Sequence, residues 1–192
     1  MSRREKIAIF ASGYGSNFEA ITLAAKSGEL DCEVALLVCD KPSARVTERA
    51  RELGIECFVF SAKEFSSKAE YEARIVERLQ AAEVGLICLA GYMRIVGDTL
   101  LEAYDGRIIN LHPSLLPSFK GARAIEQALE YGVKVFGATI HYVDASLDGG
   151  KIIAQQAITY EGDDLEEVTQ LIHSIEHTLY INTIRKLLKS DK

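Results

Sequence analysis

The eight residues Asn110-Leu-His-Pro-Ser-Leu-Leu-Pro117 hold the densest polar chemistry in the chain. Asn110 and His112 stand two apart, and at the end of a strand that spacing puts both side chains on one face. An asparagine amide supplies N–H donors, and an imidazole titrates near neutrality. Together they suit stabilising an oxyanion and moving a proton. Asp148, in Leu147-Asp-Gly-Gly150, is a candidate carboxylate partner for that imidazole, and such a partner favours the charged ring. A plainer reading stays open, in which Asn110 forms a turn, His112 packs a loop and Asp148 closes a hairpin. Ser114 is a weak candidate nucleophile, because no Gly-x-Ser-x-Gly elbow surrounds it.

A second concentration is the loop Ser12-Gly-Tyr-Gly-Ser-Asn17. Gly13 and Gly15 permit a tight turn and close approach by a ligand. Ser16 and Asn17 can cap the helix that follows, whose free N–H groups favour an anion. A dinucleotide fingerprint needs a third glycine where this chain has Phe18, although Asp40 could imitate the acid that binds a ribose. A phosphate site, a dinucleotide site and a plain turn are all compatible with these residues. A third pattern, His173-Ser-Ile-Glu-His177, matches the H-x-x-E-H of a zinc peptidase, with both histidines on one helix face. A catalytic zinc takes three protein ligands, and downstream only Asp191 offers one, so no metal is expected. His141, inside a strand, reads as a structural histidine.

The elements that must position these residues follow a βαβα rhythm. Apolar runs at Ile7–Ala11, Glu33–Val38, Ile55–Phe60, Val84–Ala90 and Arg107–Asn110 read as strands. Between them, helical spacing covers Asn17–Lys26, the stretch after Lys41-Pro42 through Leu53, and Ser66–Ala82. Continuous apolar strands separated by helices indicate a parallel sheet covered on both faces. The rhythm changes after residue 110. His112–Pro117 reads as a loop, since its two prolines exclude helix and ladder. A helix over Gly121–Tyr131 follows, then strands Val133–Val143 and Lys151–Tyr160 joined by the turn Asp144–Gly150, and a closing helix over Leu165–Leu188. The hairpin extends the sheet with antiparallel strands. In such sheets ligands sit beyond the carboxyl ends of the strands, where strand order reverses.

Length and charge bound the rest. The 192 residues suit one domain over 1–192 with a sizeable core. A net charge of −6 argues against a protein held to nucleic acid or anionic membrane by charge. No apolar run approaches a spanning helix and the N-terminus shows no signal peptide. Cys32, Cys39, Cys57 and Cys88 lack C-x-x-C spacing and read as small core residues of a cytoplasmic protein.

Taken in order, Gly15-Ser-Asn17, Ala90-Gly-Tyr-Met-Arg94, Asn110-x-His-Pro-Ser-Leu-Leu-Pro117 and His141-Tyr-Val with Leu147-Asp-Gly-Gly150 closely resemble the formyltetrahydrofolate-using formyltransferases. The Asn-x-His-Pro stretch is shared across that family. The Gly-Ser-Asn loop narrows the likeness to the phosphoribosylglycinamide (glycinamide ribonucleotide) branch and its relative, the deformylase. The resemblance runs over nearly the whole chain. It implies a doubly wound, Rossmann-like α/β fold with a mostly parallel sheet and an antiparallel hairpin toward the C-terminus. It also implies formyl transfer from 10-formyltetrahydrofolate to the amine of glycinamide ribonucleotide in purine synthesis. Asn110, His112 and Asp148 would be catalytic, and Gly15, Ser16 and Asn17 would hold the substrate phosphate. Met93, Arg94, Ile95 and Val96 would line the folate site, largely through backbone, joined by Asn110. Lys68 stands where the family often has Arg, in a segment that contacts the folate. Glu176 aligns with a carboxylate near the substrate amine. Ala122-Arg-Ala-Ile125 replaces a polar or histidine-containing stretch, so a loop beside the folate is expected to differ.

The expected partners are small molecules, with neither nucleic acid nor membrane, in a monomer or homodimer. The hydrolytic alternative, a deformylase, carries an extra N-terminal domain, and the tRNA-acting relative an extra C-terminal one. The short flanks here lead us to expect neither.

Overall fold

The computed structural model describes residues 4–190. Its strands are β1 (Glu5–Phe10), β2 (Cys32–Cys39), β3 (Cys57–Val59), β4 (Leu86–Leu89), β5 (Ile108–His112), β6 (Val135–Tyr142) and β7 (Ile152–Thr159). Its helices are α1 (Ser16–Ser27), α2 (Val46–Glu52), α3 (Lys68–Ala81), α4 (Asp98–Ala103), α5 (Ala124–Tyr131) and α6 (Leu165–Ser190). The strands form one sheet in the order β3-β2-β1-β4-β5-β6-β7. The pairs from β3 through β5 are parallel, whereas β5–β6 and β6–β7 are antiparallel. This is the doubly wound sheet with a terminal hairpin expected above.

Alternation along β1 shows why an all-apolar strand suits the middle of such a sheet. Ile7 and Ile9 face one core with Phe18 and Ile21 of α1 and Tyr180 and Ile184 of α6. Ala8 and Phe10 face the other core, with Tyr71, Ile75 and Leu79 of α3 and Leu100 of α4. Both faces are dry, so neither tolerates a polar position. A smaller cluster, with Ile125, Phe136, Val168 and Ile172, fastens α5 to the hairpin and to the start of α6.

Several boundaries differ from the sequence reading. Ser16 and Asn17 do not cap α1; Gly15 occupies the N-cap in the left-handed region, with no side-chain cap bond, and the helix starts at Ser16. The Asn17 amide turns to Glu176 instead. His112 closes β5 rather than opening the loop, and it pairs in register with Thr139 of β6. The short helix α4 was not expected, because its six residues bury only Leu100 fully and show no period. Among the described residues no helix is long and apolar enough to cross a membrane.

The topology decides where chemistry can sit. The chain runs outward from β1 through β2 to β3, then returns to place β4 on the other side of β1. Strand order therefore reverses between β1 and β4. The loops leaving these two strands, residues 11–15 and 90–97, flank the crevice at their carboxyl edge. The parallel strand β5 delivers Asn110 and His112 to the same edge, with Asn110 in register with Leu89 of β4.

Candidate active site

Asn110 and His112 are brought together with Asp148 by the hairpin. Asn110 faces His141 across the β5–β6 ladder, and its Nδ2 lies 3.1 Å from His141 Nε2. His141 Nδ1 lies 2.8 Å from the Tyr142 carbonyl oxygen. Those partners settle the tautomer: Nδ1–H donates to the carbonyl and Nε2 accepts from the Asn110 amide. Burial pushes the His141 pKa below its ordinary value, against the opposing pull of the Tyr142 bond and the Asp148 charge, which agrees with a neutral ring. One amide hydrogen of Asn110 is thereby fixed, and the other remains available as a donor. His141, read from sequence as structural, orients an expected catalytic side chain. Its signal was the antiparallel register, which the sequence does not display.

His112 is buried, and both of its ring nitrogens face oxygens. Nε2 lies 2.8 Å from the Phe119 carbonyl oxygen, and Nδ1 lies 3.5 Å from Asp148 Oδ2. An imidazolium, with two donors, matches two acceptors; a neutral ring leaves one lone pair facing an oxygen. Asp148 Oδ1 lies 3.7 Å from His141 Nε2, so this carboxylate stands between the two rings. Asp148 Oδ2 also accepts a 2.7 Å hydrogen bond from the Gly121 N–H. Asp148 adopts φ +45°, while Phe119 and Arg123 adopt +52° and +59°. Left-handed backbone at such residues costs on the order of 1–3 kcal/mol each and gathers where geometry is imposed by function.

The loop after His112 is held from outside. Thr139 Oγ1 accepts from the Leu116 N–H at 3.0 Å and donates to the Ser114 carbonyl at 2.6 Å. Gln155 Nε2 donates to the Leu116 carbonyl at 2.9 Å. The Ser114 hydroxyl donates to the Ser118 carbonyl at 2.6 Å, so the weak nucleophile candidate has a structural task.

On the other side of the crevice, Gly15 leads into α1 and Asn17 Nδ2 donates to Glu176 Oε2 at 3.0 Å. Glu176 is buried, and burial raises its pKa, opposed by the Asn17 bond and the nearby His173. Asn17 Oδ1 is buried with no hydrogen-bond partner. A buried carboxyl beside an unmet acceptor suits a donor such as an amine or hydroxyl. The H-x-x-E-H pattern resolves into a buried Glu176, an exposed His173 and a half-buried His177 whose pKa burial lowers. No group of three metal-ligating side chains occurs among the described residues, and Asp191 lies outside them.

The stretch expected to meet folate lies outside helix and strand, with a bend at Arg94 and alternating burial. Val96 is buried, Arg94 is half-buried, and Met93 and Ile95 are 71% and 69% exposed. Two large apolar side chains held out beside a backbone outside any ladder fit a flat heteroaromatic ring that also carries amide-like donors and acceptors. Lys68 opens α3, and its Cε comes so near Gly97 that a β-carbon there would meet it at 2.7 Å. Asp40, the imitation ribose acid, is instead occupied inside the protein, by Ser12 and Arg94, which removes the dinucleotide reading. In the departing segment, Ala124 and Ile125 open α5 on its buried face and the exposed Arg123 reaches Glu130 at 3.4 Å.

The reversal of strand order, with a glycine loop on one side and an oriented Asn/His/Asp set on the other, defines a doubly wound α/β enzyme. The chain belongs to the formyl transferase family, whose model matches residues 5–184. It is 55% identical over 185 residues to phosphoribosylglycinamide formyltransferase of Bacillus subtilis, covering 96% of this chain and 95% of that one. It is 39% identical over 189 residues to the trifunctional purine biosynthetic protein adenosine-3 of Drosophila melanogaster, covering 97% of this chain and 14% of that protein. The crystal structure of glycinamide ribonucleotide transformylase 1 from Geobacillus kaustophilus superposes with TM-score 0.94 at 49% identity, covering 97% of this chain and all of that one.

Proposed function

We propose that this chain transfers the formyl group of 10-formyltetrahydrofolate to the primary amine of glycinamide ribonucleotide, as a single catalytic domain. The observation that carries the reading is the convergence of Asn110, His112, His141 and Asp148 at the carboxyl edge of β5. The formyl transferases named above support it, and they favour transfer over hydrolysis.

Gly15, Ser16 and Asn17 present the N-terminus of α1 to the substrate phosphate, where free N–H groups and the helix dipole favour an anion. Glu176 and Asn17 Oδ1 receive the amine side of the ribonucleotide. The backbone of residues 93–96, flanked by Lys68, receives the folate. As the amine attacks the formyl carbon, negative charge grows on the formyl oxygen. The free amide hydrogen of Asn110 meets that charge, joined by His112 as its protonated ring turns the Nε2–H from the Phe119 carbonyl to the formyl oxygen. As the bond from the formyl carbon to the folate nitrogen breaks, His112 passes a proton to that nitrogen and takes up the one shed by the attacking amine, while Asp148 holds the ring throughout. Holding two substrates side by side supplies much of the remaining acceleration.

The test is a formyl-transfer assay on the purified protein and three variants. Asn110→Ala is expected to lower kcat by roughly 10²–10³, as for loss of an oxyanion donor. His112→Ala is expected to lower it by about 10²–10⁴. Asp148→Asn keeps the fold, since asparagine accepts the left-handed backbone, yet loses the charge beside His112. Near-normal kcat in the first two variants sinks the assignment. Consumption of the folate without added amine marks a hydrolase instead.

A further inference from the structure

Residues 91–97 belong to no helix or strand, so their backbone has no ladder of its own to fix it. Their fixings come from elsewhere. Gly97 N–H donates to Glu72 Oε1 at 2.6 Å, at the far end. At the near end, Ser12 N–H donates to the Gly91 carbonyl at 3.0 Å and Met93 N–H donates to Ser12 Oγ at 2.9 Å. Ser12 Oγ can accept from Met93 only while its own hydrogen points elsewhere, and it points to Asp40 Oδ1. The other carboxylate oxygen, Oδ2, lies 2.8 Å from Arg94 Nε. The Arg94 guanidinium is also 5.7 Å from the centre of the Tyr71 ring. The Asp40 side chain is 2% exposed, so its charge has no solvent to fall back on.

Ser12 is also the first residue of the glycine loop, and Asp40 follows β2, next to β1 in the sheet. One buried carboxylate thus reaches both walls of the crevice. We propose that Asp40 is a positioning residue for both substrate subsites, holding the folate segment through Ser12 and Arg94 and anchoring the start of the phosphate loop. The proposal rests on the assignment of residues 93–96 to folate and of the glycine loop to phosphate. Asp40 touches neither substrate. It fixes the course of the backbone segments assigned to them, so its effect falls on substrate affinity and not on the chemical step.

The experiment is steady-state kinetics with both substrates varied, alongside thermal melting. It covers the wild type, Asp40→Asn, Ser12→Ala, Arg94→Gln and the Asp40→Asn/Arg94→Gln pair. The amide introduced by Asp40→Asn sets an N–H₂ group or a neutral oxygen against a guanidinium. The KM for the folate is expected to rise about tenfold, the scale of one charged hydrogen bond. The KM for the ribonucleotide rises less, and kcat at saturation stays within about twofold. Ser12→Ala raises the folate KM in the same way. The paired variant, in which two amides can face each other, recovers part of the loss, because contacting residues are not additive. Unchanged KM values in Asp40→Asn overturn the proposal. So does a fall of kcat in step with melting temperature at constant KM, the mark of a merely structural role. Should Asp40→Asn not fold, Ser12→Ala decides, since Ser12 joins Asp40 to the Met93 N–H: a raised folate KM supports the proposal and an unchanged one overturns it. A wild type that binds a folate analogue but transfers no formyl group sinks the proposed function alone. The affinities of the same variants for that analogue then decide the positioning role.

Discussion

Gly15 shows how a single residue ties sequence to site. Its φ is +81°, and a β-carbon placed there would come within 2.5 Å of Val46 Cγ2. Only glycine meets both demands, and the same close approach seats the loop on the start of α2, where Val46 N–H donates to the Gly13 carbonyl. Gly15→Ala is therefore expected to destabilise the protein by about 1–3 kcal/mol, through left-handed strain and the clash. It is also expected to raise the KM for the phosphorylated substrate more than it lowers kcat. Thermal melting and substrate-dependent kinetics check both halves; an unchanged KM would show that the loop does not touch the phosphate. The importance of this glycine was visible in the sequence. Its conformation was not, since Ser16 and Asn17 are better capping residues by type and the left-handed turn at Gly15 displaced them both.

At the scale of elements, the hairpin is what makes a site of β5. Thr139 on β6 is fully buried and serves the loop after His112 twice, as acceptor for Leu116 N–H and as donor to the Ser114 carbonyl. Thr139→Val keeps the volume and orphans both backbone groups. A loss of about 1–3 kcal/mol in unfolding free energy is expected for a buried group left unsatisfied, with a lower kcat as His112 loses its support. Denaturant unfolding measures the first, and a variant as stable and active as the parent would show that Gln155 alone holds the loop. The parallel strands were legible because burial on both faces forces unbroken apolar runs such as Ile7–Phe10. The meeting of His112 with Asp148 was not legible from spacing, because it depends on hairpin register: Asn110 opposite His141, His112 opposite Thr139, and a turn that returns Asp148 between the two rings. Helix α4 escaped notice for the opposite reason. It is local but too short for a period to show.

For the whole molecule, a net charge of −6 repels the anionic substrates the proposed reaction needs. Attraction must come from local groups. The glycine loop has the α1 N-terminus and, beside it, Arg49, 4.3 Å from the Tyr14 ring centre and paired with Glu19. The closing helix α6 completes the crevice by spanning the sheet. Tyr180 donates its hydroxyl to the Leu89 carbonyl at 2.9 Å, beneath the ends of β4 and β5, and this places Glu176, one turn earlier, beside Asn17. The position is costly for a carboxyl, since burial raises the Glu176 pKa above its ordinary value. The folded protein then binds a proton there more tightly than the unfolded chain does. Stability from this group is fully present below the unfolded carboxyl pKa of about 4.3 and is lost as pH rises through the higher folded value. Glu176→Gln, neutral at every pH and still able to accept from Asn17, does not suffer that loss. Its melting temperature is expected to exceed the parent's at neutral pH and to converge with it as pH falls toward the unfolded value. Its transfer activity is expected to drop at neutral and higher pH, where the parent's Glu176 is charged beside the proposed amine position, and to approach the parent's as pH falls below the folded value. Melting curves that stay parallel from acid to neutral pH would show that Glu176 does not change its protonation between the folded and unfolded chain in the way burial demands.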